Sequence, residues 1–495
     1  MLAATVSLLL VAGYLFNLAY RVSPWHPLSH IPGPWWTAVS SLWLQYHTAR
    51  GTQGKATRRL HEVYGPIVRV APKEVEIADG AALWPIYIKN GGFDKSHHYA
   101  MLDIDDHSTV FSTLQNRRRA DRLKVALPFF SAASAQRQVH MLEAYAQKLV
   151  ERLNRDKAKR ESVDLLDRCR SYSLDTTSFY VFGEAFGAME EEKLSIAPVV
   201  DNFVEVNLLF NIPSRWYRIF NFCYNTFIVK AAVKRADAKV DNWIRDVVGR
   251  NLGKSAEAQK TYPGRLAASG MPLREIVPEG KDAIFGATDA LGLALSLILW
   301  RLVSDATILQ IMQWANPKSD ERYAGLREEL ESNASMQGEK LQSLPILTGI
   351  IKEVMRLSST VPCKLPRVTP KEGMMFKDIY IPGNIVVGVA PCMLHFNEQV
   401  YPEPHTFRYH RWQEATEEMS RDWMPFGKGA RACLGRHLAM LQLCVAVCTV
   451  VRSGVLSNAR TLKSDIEFWE WYNVKVAGGT IEIGWQESPA EQCCA

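Results

Sequence analysis

The sequence predicts a mainly α-helical protein with small β-sheets, built as a single large domain behind an N-terminal transmembrane helix. Three observations support this fold class: long stretches with helical spacing of apolar residues, only short strand-like segments, and an uncharged apolar run at the start. Of the 495 residues, 47% are hydrophobic and 22% are charged. This composition is typical of a globular protein, and we find no linker, repeat or low-complexity tract after residue 35.

The first element is the apolar run over residues 2–20, which carries no charge and is followed by Arg21. A helix of this length spans roughly 28 Å, close to the thickness of a bilayer core. The run has neither the charged start nor the clear cleavage site of a secretory signal peptide. We therefore expect residues 1–21 to be a retained single-pass anchor. The basic residue after the run favours a cytosolic location for the rest of the chain.

The second element is a proline-rich hinge over residues 22–35, which contains prolines at 24, 27, 32 and 34. Prolines stiffen a connection, so this hinge is expected to fix how the body of the protein sits on the membrane. Residues 36–495 are expected to form the single large domain.

Within that domain, helical spacing predicts helices over residues 133–154, 280–303 and 434–452. Strand patterns are short and cover residues 67–70, 379–381, 385–387 and 480–483.

Charge and cysteine content exclude two classes of function. The formal net charge of +6 is too small to indicate nucleic-acid binding, and no long basic block with interleaved aromatic residues occurs. The nine cysteines are scattered and form no CxxC pair, which argues against a zinc site. Sparse cysteines are typical of a reducing compartment.

The most informative motif surrounds Cys433, which comes just before a predicted helix and follows two glycines and Arg431. The positive end of the helix dipole stabilises a thiolate at this position, and glycine N–H groups can point at its sulfur. The loop therefore predicts a low-pKa thiolate that holds a metal as an axial ligand. On haem iron, a cysteine thiolate favours O–O cleavage.

The pattern Phe-x-x-Gly-x-Arg-x-Cys-x-Gly is met at Phe426, Gly429, Arg431, Cys433 and Gly435. This run resembles the haem-binding loop of the cytochromes P450, the haem-thiolate monooxygenases. The resemblance implies a P450-type domain that binds haem b, with Cys433 as the iron ligand and with Phe426, Gly427, Arg431 and Gly435 around the cofactor. The dinucleotide fingerprint G-x-G-x-x-A also fits here, but residues 421–425 before it are not a strand.

Other positions extend the resemblance. Glu353 and Arg356 share a helix face, and the resemblance makes them a structural triad with Arg411. Haem propionates need cationic donors, for which the resemblance points to Arg431, Arg367 and His395. A further donor is expected from an early helix ending at Phe130 and Ser131.

In the family this donor comes from two positions on the early helix, which in this chain hold Arg119 and Leu123. We expect Arg122 or Lys124, which flank Leu123, to bind the propionate instead.

The chain departs from the family at the helix over the oxygen pocket. There the resemblance makes Asp289 and its neighbour Thr288 candidate catalytic residues, and the usual threonine position holds Ala290. An acid–alcohol pair delivers protons by general acid catalysis. Two interpretations stay open: water or a substrate hydroxyl replaces the threonine, or the enzyme runs a reaction that needs no such relay.

The resemblance implies a membrane-anchored monooxygenase of the endoplasmic reticulum that resembles fungal members of secondary metabolism. Its substrate would be a lipophilic small molecule that contacts the segments 208–213 and 468–472, and its electrons would come from NADPH-cytochrome P450 reductase. Lys428, Arg431 and Arg436 are candidates for docking that partner. The alternatives are a haem-thiolate enzyme of another reaction class and a non-catalytic haem binder.

Overall fold

The computed structural model describes residues 2–212, 214–252, 260–304, 328–330, 332–333 and 338–485. Within these ranges the chain is mainly helical with four small sheets, which confirms the predicted fold class. The helices of the first half are α1 (Leu2–Val22), α2 (Trp35–Val39), α3 (Leu42–Ala49), α4 (Gln53–Tyr64), α5 (Asn116–Phe129), α6 (Ala132–Gln136), α7 (Val139–Lys159), α8 (Leu165–Phe182), α9 (Ala197–Glu205), α10 (Ser214–Cys223) and α11 (Ala231–Leu252).

Those of the second half are α12 (Tyr262–Ala268), α13 (Leu273–Ser304), α14 (Pro345–Ser358), α15 (Pro391–His395), α16 (Glu417–Asp422) and α17 (Arg436–Ser453). The strands are β1 (Ile67–Ala71), β2 (Glu74–Ile77), β3 (Val163–Asp164), β4 (Arg367–Val368), β5 (Met374–Phe376), β6 (Ile379–Ile381), β7 (Val386–Gly388), β8 (Ala459–Thr461), β9 (Phe468–Glu470), β10 (Val474–Val476) and β11 (Glu482–Trp485).

The largest sheet has the strand order β1-β2-β7-β4. β1 and β2 form an antiparallel hairpin, β7 runs parallel to β2, and β4 is antiparallel to β7. A three-stranded sheet of order β3-β11-β8 joins the start of α8 to the end of the described chain, and β5-β6 and β9-β10 are short hairpins. Each predicted strand is found within one or two residues of its expected start.

The larger hydrophobic core lies between α7, α8, α13 and α17. α13 and α17 confirm the predictions for residues 280–303 and 434–452. The predicted helix at residues 133–154 is divided instead, because Gln138 leaves helical geometry with ψ of 9° and α7 begins only at Val139. An apolar repeat cannot show such a break when both sides of it are helical.

Among the described residues, two helices are long and apolar enough to cross a membrane, Thr5–Val22 within α1 and α13. None of the first span is buried, whereas 78% of the apolar window of α13 is buried. α13 is therefore a core helix, and of these two helices α1 is the one that presents an apolar surface to a bilayer.

The close approach of α8 to α13 depends on Gly292. A Cβ at this position would lie 2.7 Å from Cγ and 2.8 Å from Cα of Arg170. Because glycine has no side chain, the backbones of α8 and α13 can pack closely at this position.

Replacing Gly292 with alanine is expected to destabilise the protein by about 1–3 kcal/mol, because the added methyl group forces α8 away from α13. Urea denaturation followed by circular dichroism measures the change. The control is Gly249→Ala on α11, where nothing lies within 4 Å of the position that a Cβ would occupy and where alanine should stabilise the helix by roughly 0.5–1 kcal/mol. Equal effects of the two substitutions would contradict the packing argument.

Candidate active site

The Cys433 loop is closed by backbone hydrogen bonds directly before α17. The amide of Cys433 donates to the carbonyl of Phe426 at 2.8 Å, and the amide of Gly427 donates to the carbonyl of Met424 at 3.0 Å. Gly429 has a φ of 71°, and a Cβ there would lie 1.8 Å from the carbonyl oxygen of Tyr87. The position needs glycine on both counts, because a side chain would adopt a strained φ and collide with fixed backbone.

The Cys433 side chain retains accessible surface although it lies deep in the protein, so this surface faces an interior cavity. Burial raises the pKa of the thiol, whereas the amides of Gly435 and Arg436 and the charge of Arg436 lower it. The low pKa predicted from the loop is therefore corrected: burial outweighs the helix terminus. A coordinated metal would supply the missing positive charge and deprotonate the thiol.

Four cationic side chains converge beside this loop: Lys95, Arg119, Arg367 and Arg431. Burial and repulsion from the neighbouring cations lower the pKa of Arg119 to about 10 and that of Arg431 to about 9. The pKa of Lys95 is also lowered by burial and by the three arginines.

These four side chains bond to neutral oxygens rather than to carboxylates in the part of the chain that the structure describes. Their acceptors are the carbonyls of Phe111, Val110, Ala430, Pro366, Thr113 and Leu114, with the side chains of Tyr99 and Asn116. Buried cations without an anion are costly, so the cluster suits a ligand that presents two carboxylates.

Arg122 and Lys124, the donors expected from the early helix, lie outside this cationic cluster. Lys124 is 77% exposed and pairs with Asp121, and Arg122 bonds to Glu279 and Glu275 at 2.5 and 3.0 Å. The structure brings Arg119 to the loop instead, where its guanidinium donates to the carbonyl of Ala430 at 2.9 Å. Arg122 lies on the same side of the helix as Arg119, but its guanidinium is bound by the carboxylates of Glu275 and Glu279, and Lys124 points to solvent.

His395 also lies elsewhere, in the core beside the predicted triad. Its Nδ1 is 2.8 Å from the hydroxyl of Ser359, and its Nε2 accepts from the amide of Met424. Burial lowers the pKa of this imidazole to about 3, so it is neutral. Both ring nitrogens are occupied, which removes it from the set of carboxylate donors.

The predicted triad is confirmed by the structure. The Glu353 carboxylate receives two bonds from Arg356, at 2.8 and 3.0 Å, and one from Arg411 at 3.1 Å. It also accepts from the indole of Trp412 at 3.0 Å. Glu353 and Arg356 are completely buried, so the fully bonded carboxylate fastens α14 to the segment before the Cys433 loop.

A stripe of α13 retains accessible surface although the helix runs through the core. Gly286 and Ala290 are exposed, and Asp282, Ala283 and Ala287 are partly exposed. The charge of Asp282 raises the pKa of the Cys433 thiol, so the start of the stripe is close enough to the thiol to interact with it electrostatically. Ala290 lies in the stripe, so the position at which the family resemblance expects a threonine holds no alcohol.

Asp289 and Thr288 are both buried. Asp289 is at the edge of the stripe, and its carboxylate is 2.5 Å from Arg170 of α8, which also holds Asp201 at 2.9 Å. Burial raises the pKa of Asp289, and Arg170 opposes this rise. The hydroxyl of Thr288 has no hydrogen-bond partner among the described residues.

The two aromatic segments predicted to line a pocket meet each other. Phe210 stacks on Tyr472 at 4.5 Å between ring centroids, and on His98 at 5.5 Å. The hydroxyl of Tyr472 is 3.2 Å from that of Tyr99, which in turn accepts from Arg367 at 3.3 Å. The roof segment therefore connects through aromatic contacts to the cationic cluster.

The cytochrome P450 family profile matches residues 30–453. The chain belongs to the cytochrome P450 family. The family implies a haem-thiolate cofactor and, in general, a redox partner and lipophilic substrates, and the residues present fit the haem: Cys433 could hold its iron and the cationic cluster its two carboxylates.

Similar curated proteins are fungal P450 enzymes. The cytochrome P450 monooxygenase mfmF of Annulohypoxylon moriforme is 29% identical over 93% of this chain and 95% of its own length. Tryprostatin B 6-hydroxylase of Neosartorya fischeri is 28% identical over 90% and 80%. N-acetyltryptophan 6-hydroxylase ivoC of Emericella nidulans is 26% identical over 93% of each. Together these relatives support a cytochrome P450 monooxygenase.

The sequence-based analysis missed Lys95 as a member of the cationic cluster and passed over Arg119. Arg119 shares a helix face with Arg122, so a helical-face argument would have added it to the candidates without choosing between the two. Lys95 is in irregular chain, where no periodicity marks the inward side.

Arg119→Ala is expected to weaken haem retention about tenfold or more, because a hydrogen bond to a charged group contributes about 1.5–3 kcal/mol and 1.4 kcal/mol corresponds to tenfold. Haem transfer to apomyoglobin measures the dissociation rate. Lys124→Ala is the matched control, with the same charge change on the exposed side of α5, and it should leave that rate unchanged. Faster haem loss from the Lys124 variant would reverse the assignment.

Proposed function

We propose that this P450 is a membrane-anchored monooxygenase that oxidises a lipophilic small molecule, an intermediate of a terpenoid, polyketide or alkaloid type, with O₂ and electrons from NADPH-cytochrome P450 reductase. The observation that carries the proposal is that the deeply placed Cys433 thiol and the small side chains of α13 both retain accessible surface within the core, which we take to line one substrate cavity. A mostly apolar wall with few polar groups is typical of sites for lipophilic ligands.

In this proposal the cofactor is haem b. Cys433 holds its iron, Phe426, Gly427 and Gly435 shape the loop beneath it, and the propionates are held by Arg367 and Arg431. Arg119 and Lys95 complete that cationic cluster. When bound, the haem supplies the oxidising chemistry, and the protein supplies binding, orientation and electrostatics.

Asp289 is proposed to hold the proton that the reaction consumes. Arg170 links its carboxylate to Asp201, whose side chain is 33% exposed, so a hydrogen-bonded path leads from the surface to the edge of the cavity. Thr288, with its unpartnered hydroxyl one residue away, is the second candidate on this helix.

We propose that residues 1–21 anchor the protein in the endoplasmic reticulum membrane, with the hinge 22–35 and the catalytic domain 36–495 in the cytosol. Exposed aromatic residues support a membrane-facing surface: Trp25 and Trp35 are 83% and 68% exposed, and Phe222 and Phe227 beside the roof are 67% and 78% exposed. A lipophilic substrate could then reach the roof from the bilayer. The exposed Arg436 and the partly exposed Lys428 are proposed to help dock the reductase.

A second candidate function is a haem-thiolate reaction that needs no oxygen relay, such as an oxidative coupling, a rearrangement or a dehydration. The absence of a hydroxyl from the cavity-facing position 290 favours it. A non-catalytic haem binder is the remaining alternative, and turnover of any lipophilic substrate would exclude it.

Cys433→Ala is expected to abolish the strongly red-shifted Soret band of the reduced carbon-monoxide complex, because that band requires thiolate ligation. Difference spectra of the purified protein measure it. Cys448→Ala, which removes a buried cysteine from α17, serves as the control and should retain the band. An unshifted band in the unsubstituted protein would refute the proposed iron ligand.

Ala290→Thr is expected to raise the fraction of NADPH electrons recovered in product by about twofold or more, because it restores an alcohol to the cavity wall beside Asp289. The ratio of product formed to NADPH consumed measures this coupling in the presence of the reductase. Turnover of the unsubstituted protein without NADPH and reductase would support the second candidate function instead. Ala283→Thr places the same alcohol elsewhere on the stripe and should not improve coupling.

A further inference from the structure

The segment from Asp105 to Phe111, here called the strap, connects the Cys433 loop to α13. Directly after the strap, Arg431 of the loop donates to the carbonyls of Thr113 and Leu114 at 2.6 and 2.7 Å. The strap begins in a turn where Asp105 and Asp106 have φ of 50° and 59°. It is irregular chain throughout, so side chains from other elements must hold it in place.

One turn of α13, at the start of the stripe, supplies much of that fastening. Glu279 accepts from the amide of Val110 at 2.9 Å, and Lys281 lies 3.0 Å from Asp105. Asp282, the first residue of the stripe, interacts with the hydroxyl of Thr109 and the amide of Phe111. The strap is thus held to α13 by ionisable groups.

Arginines of α5 strengthen the same fastening. Arg122 donates to the carbonyl of Ser108 as well as to Glu279, and Arg119 donates to the carbonyl of Val110 at 2.8 Å. Glu279, although 1% exposed, is bonded through only one of its carboxylate oxygens. Its Oε2 has no hydrogen-bond partner among the described residues.

The groups that face Glu279 leave its charge poorly compensated. Arg122 is shared with Glu275, and Arg119 is attracted to Glu279 but donates its hydrogen bonds to the carbonyls of Val110 and Ala430. Asp282 lies one turn away on the same helix, and Tyr262 of α12 contributes only a neutral hydroxyl. Lys281 does not help, because it is occupied by Asp105 of the strap and by Asp237 and Asp241 of α11. Burial, with repulsion from Asp282, raises the pKa of Glu279 to about 7, and burial raises that of Asp282 to about 6.

We propose that Glu279 is a proton-dependent latch for the strap, which it holds against α13 when protonated and releases when ionised. The inference rests on the proposed function in one respect: the latch would bear on the reaction only if the strap borders the substrate cavity proposed beside Cys433. Glu279 acts through the strap and is therefore a positioning residue.

The sign of the pH dependence follows from the linkage between proton binding at Glu279 and closing of the strap. The closed strap shields Glu279 from water and raises its pKa above the ordinary value, whereas an open strap admits water and returns the pKa towards that value. The closed state therefore binds the proton more tightly, and closing is favoured at low pH. Opening becomes easier as the pH rises towards about 7, by at most about tenfold per pH unit for one group.

Hydrogen–deuterium exchange of the haem-loaded full-length protein tests the latch. Protection factors of amides 107–111, corrected for the intrinsic rate at each pH, are expected to fall about tenfold or more between pH 5.5 and 7.5. In Glu279→Gln, which keeps the size but cannot ionise, the fall should be clearly smaller, and what remains should come from Asp282, whose pKa burial also raises, to about 6. An equal fall in the Gln variant, or no fall in the unsubstituted protein, would overturn the proposal.

Glu275→Gln is the matched control, because Glu275 shares Arg122 but its side chain is 30% exposed. It should keep the pH dependence, and a loss of that dependence would assign the effect to Arg122 instead of Glu279. Asp282→Asn removes the charge that repels Glu279, so the midpoint of the fall in protection factors should move to lower pH. This variant provides a test if Glu279→Gln fails to fold. An unmoved midpoint would count against the latch. The carbon-monoxide spectrum of the same samples reports the haem-thiolate proposal separately.

Discussion

Buried charge is the constraint on which the layout of this protein depends. An ionised side chain removed from water needs partners, and here those partners come from distant parts of the chain. Glu353 binds α14 to the segment around Arg411, and Arg170 binds α8 to α9 and α13. The cationic cluster near Cys433 is the exception, because its members bond to neutral oxygens among the described residues and only the more distant charges of Asp94, Glu279 and Asp282 oppose their repulsion. A bound dianion would supply the compensation that this cluster lacks.

Sequence patterns predicted the parts of the structure that depend on local chemistry. The Cys433 loop, the pair of Glu353 and Arg356 three residues apart, and the long apolar helix α13 were all found where expected. In each, the residues that interact are neighbours along the chain or share one helix face. The anchor run is equally local, since length and apolarity alone define it.

What the sequence could not predict depends on tertiary approach. The face of α5 that meets the loop is decided by how that helix packs, so Arg119 rather than Arg122 or Lys124 reaches Ala430. The pKa of Cys433 likewise depends on its depth in the protein, which no loop motif records. The orientation of Asp289 towards Arg170 required both α8 and α13, brought together at Gly292.

The stacking of Phe210 between His98 and Tyr472 has a consequence for which molecules the protein accepts. A molecule that entered by displacing Phe210 would break three ring contacts, with His98, Tyr99 and Tyr472, each worth about 0.5–1.5 kcal/mol. Small compounds bury too little surface to offset that loss, whereas large ones do so easily. On such an entry path the stack would set a size threshold that discriminates by area gained rather than by shape.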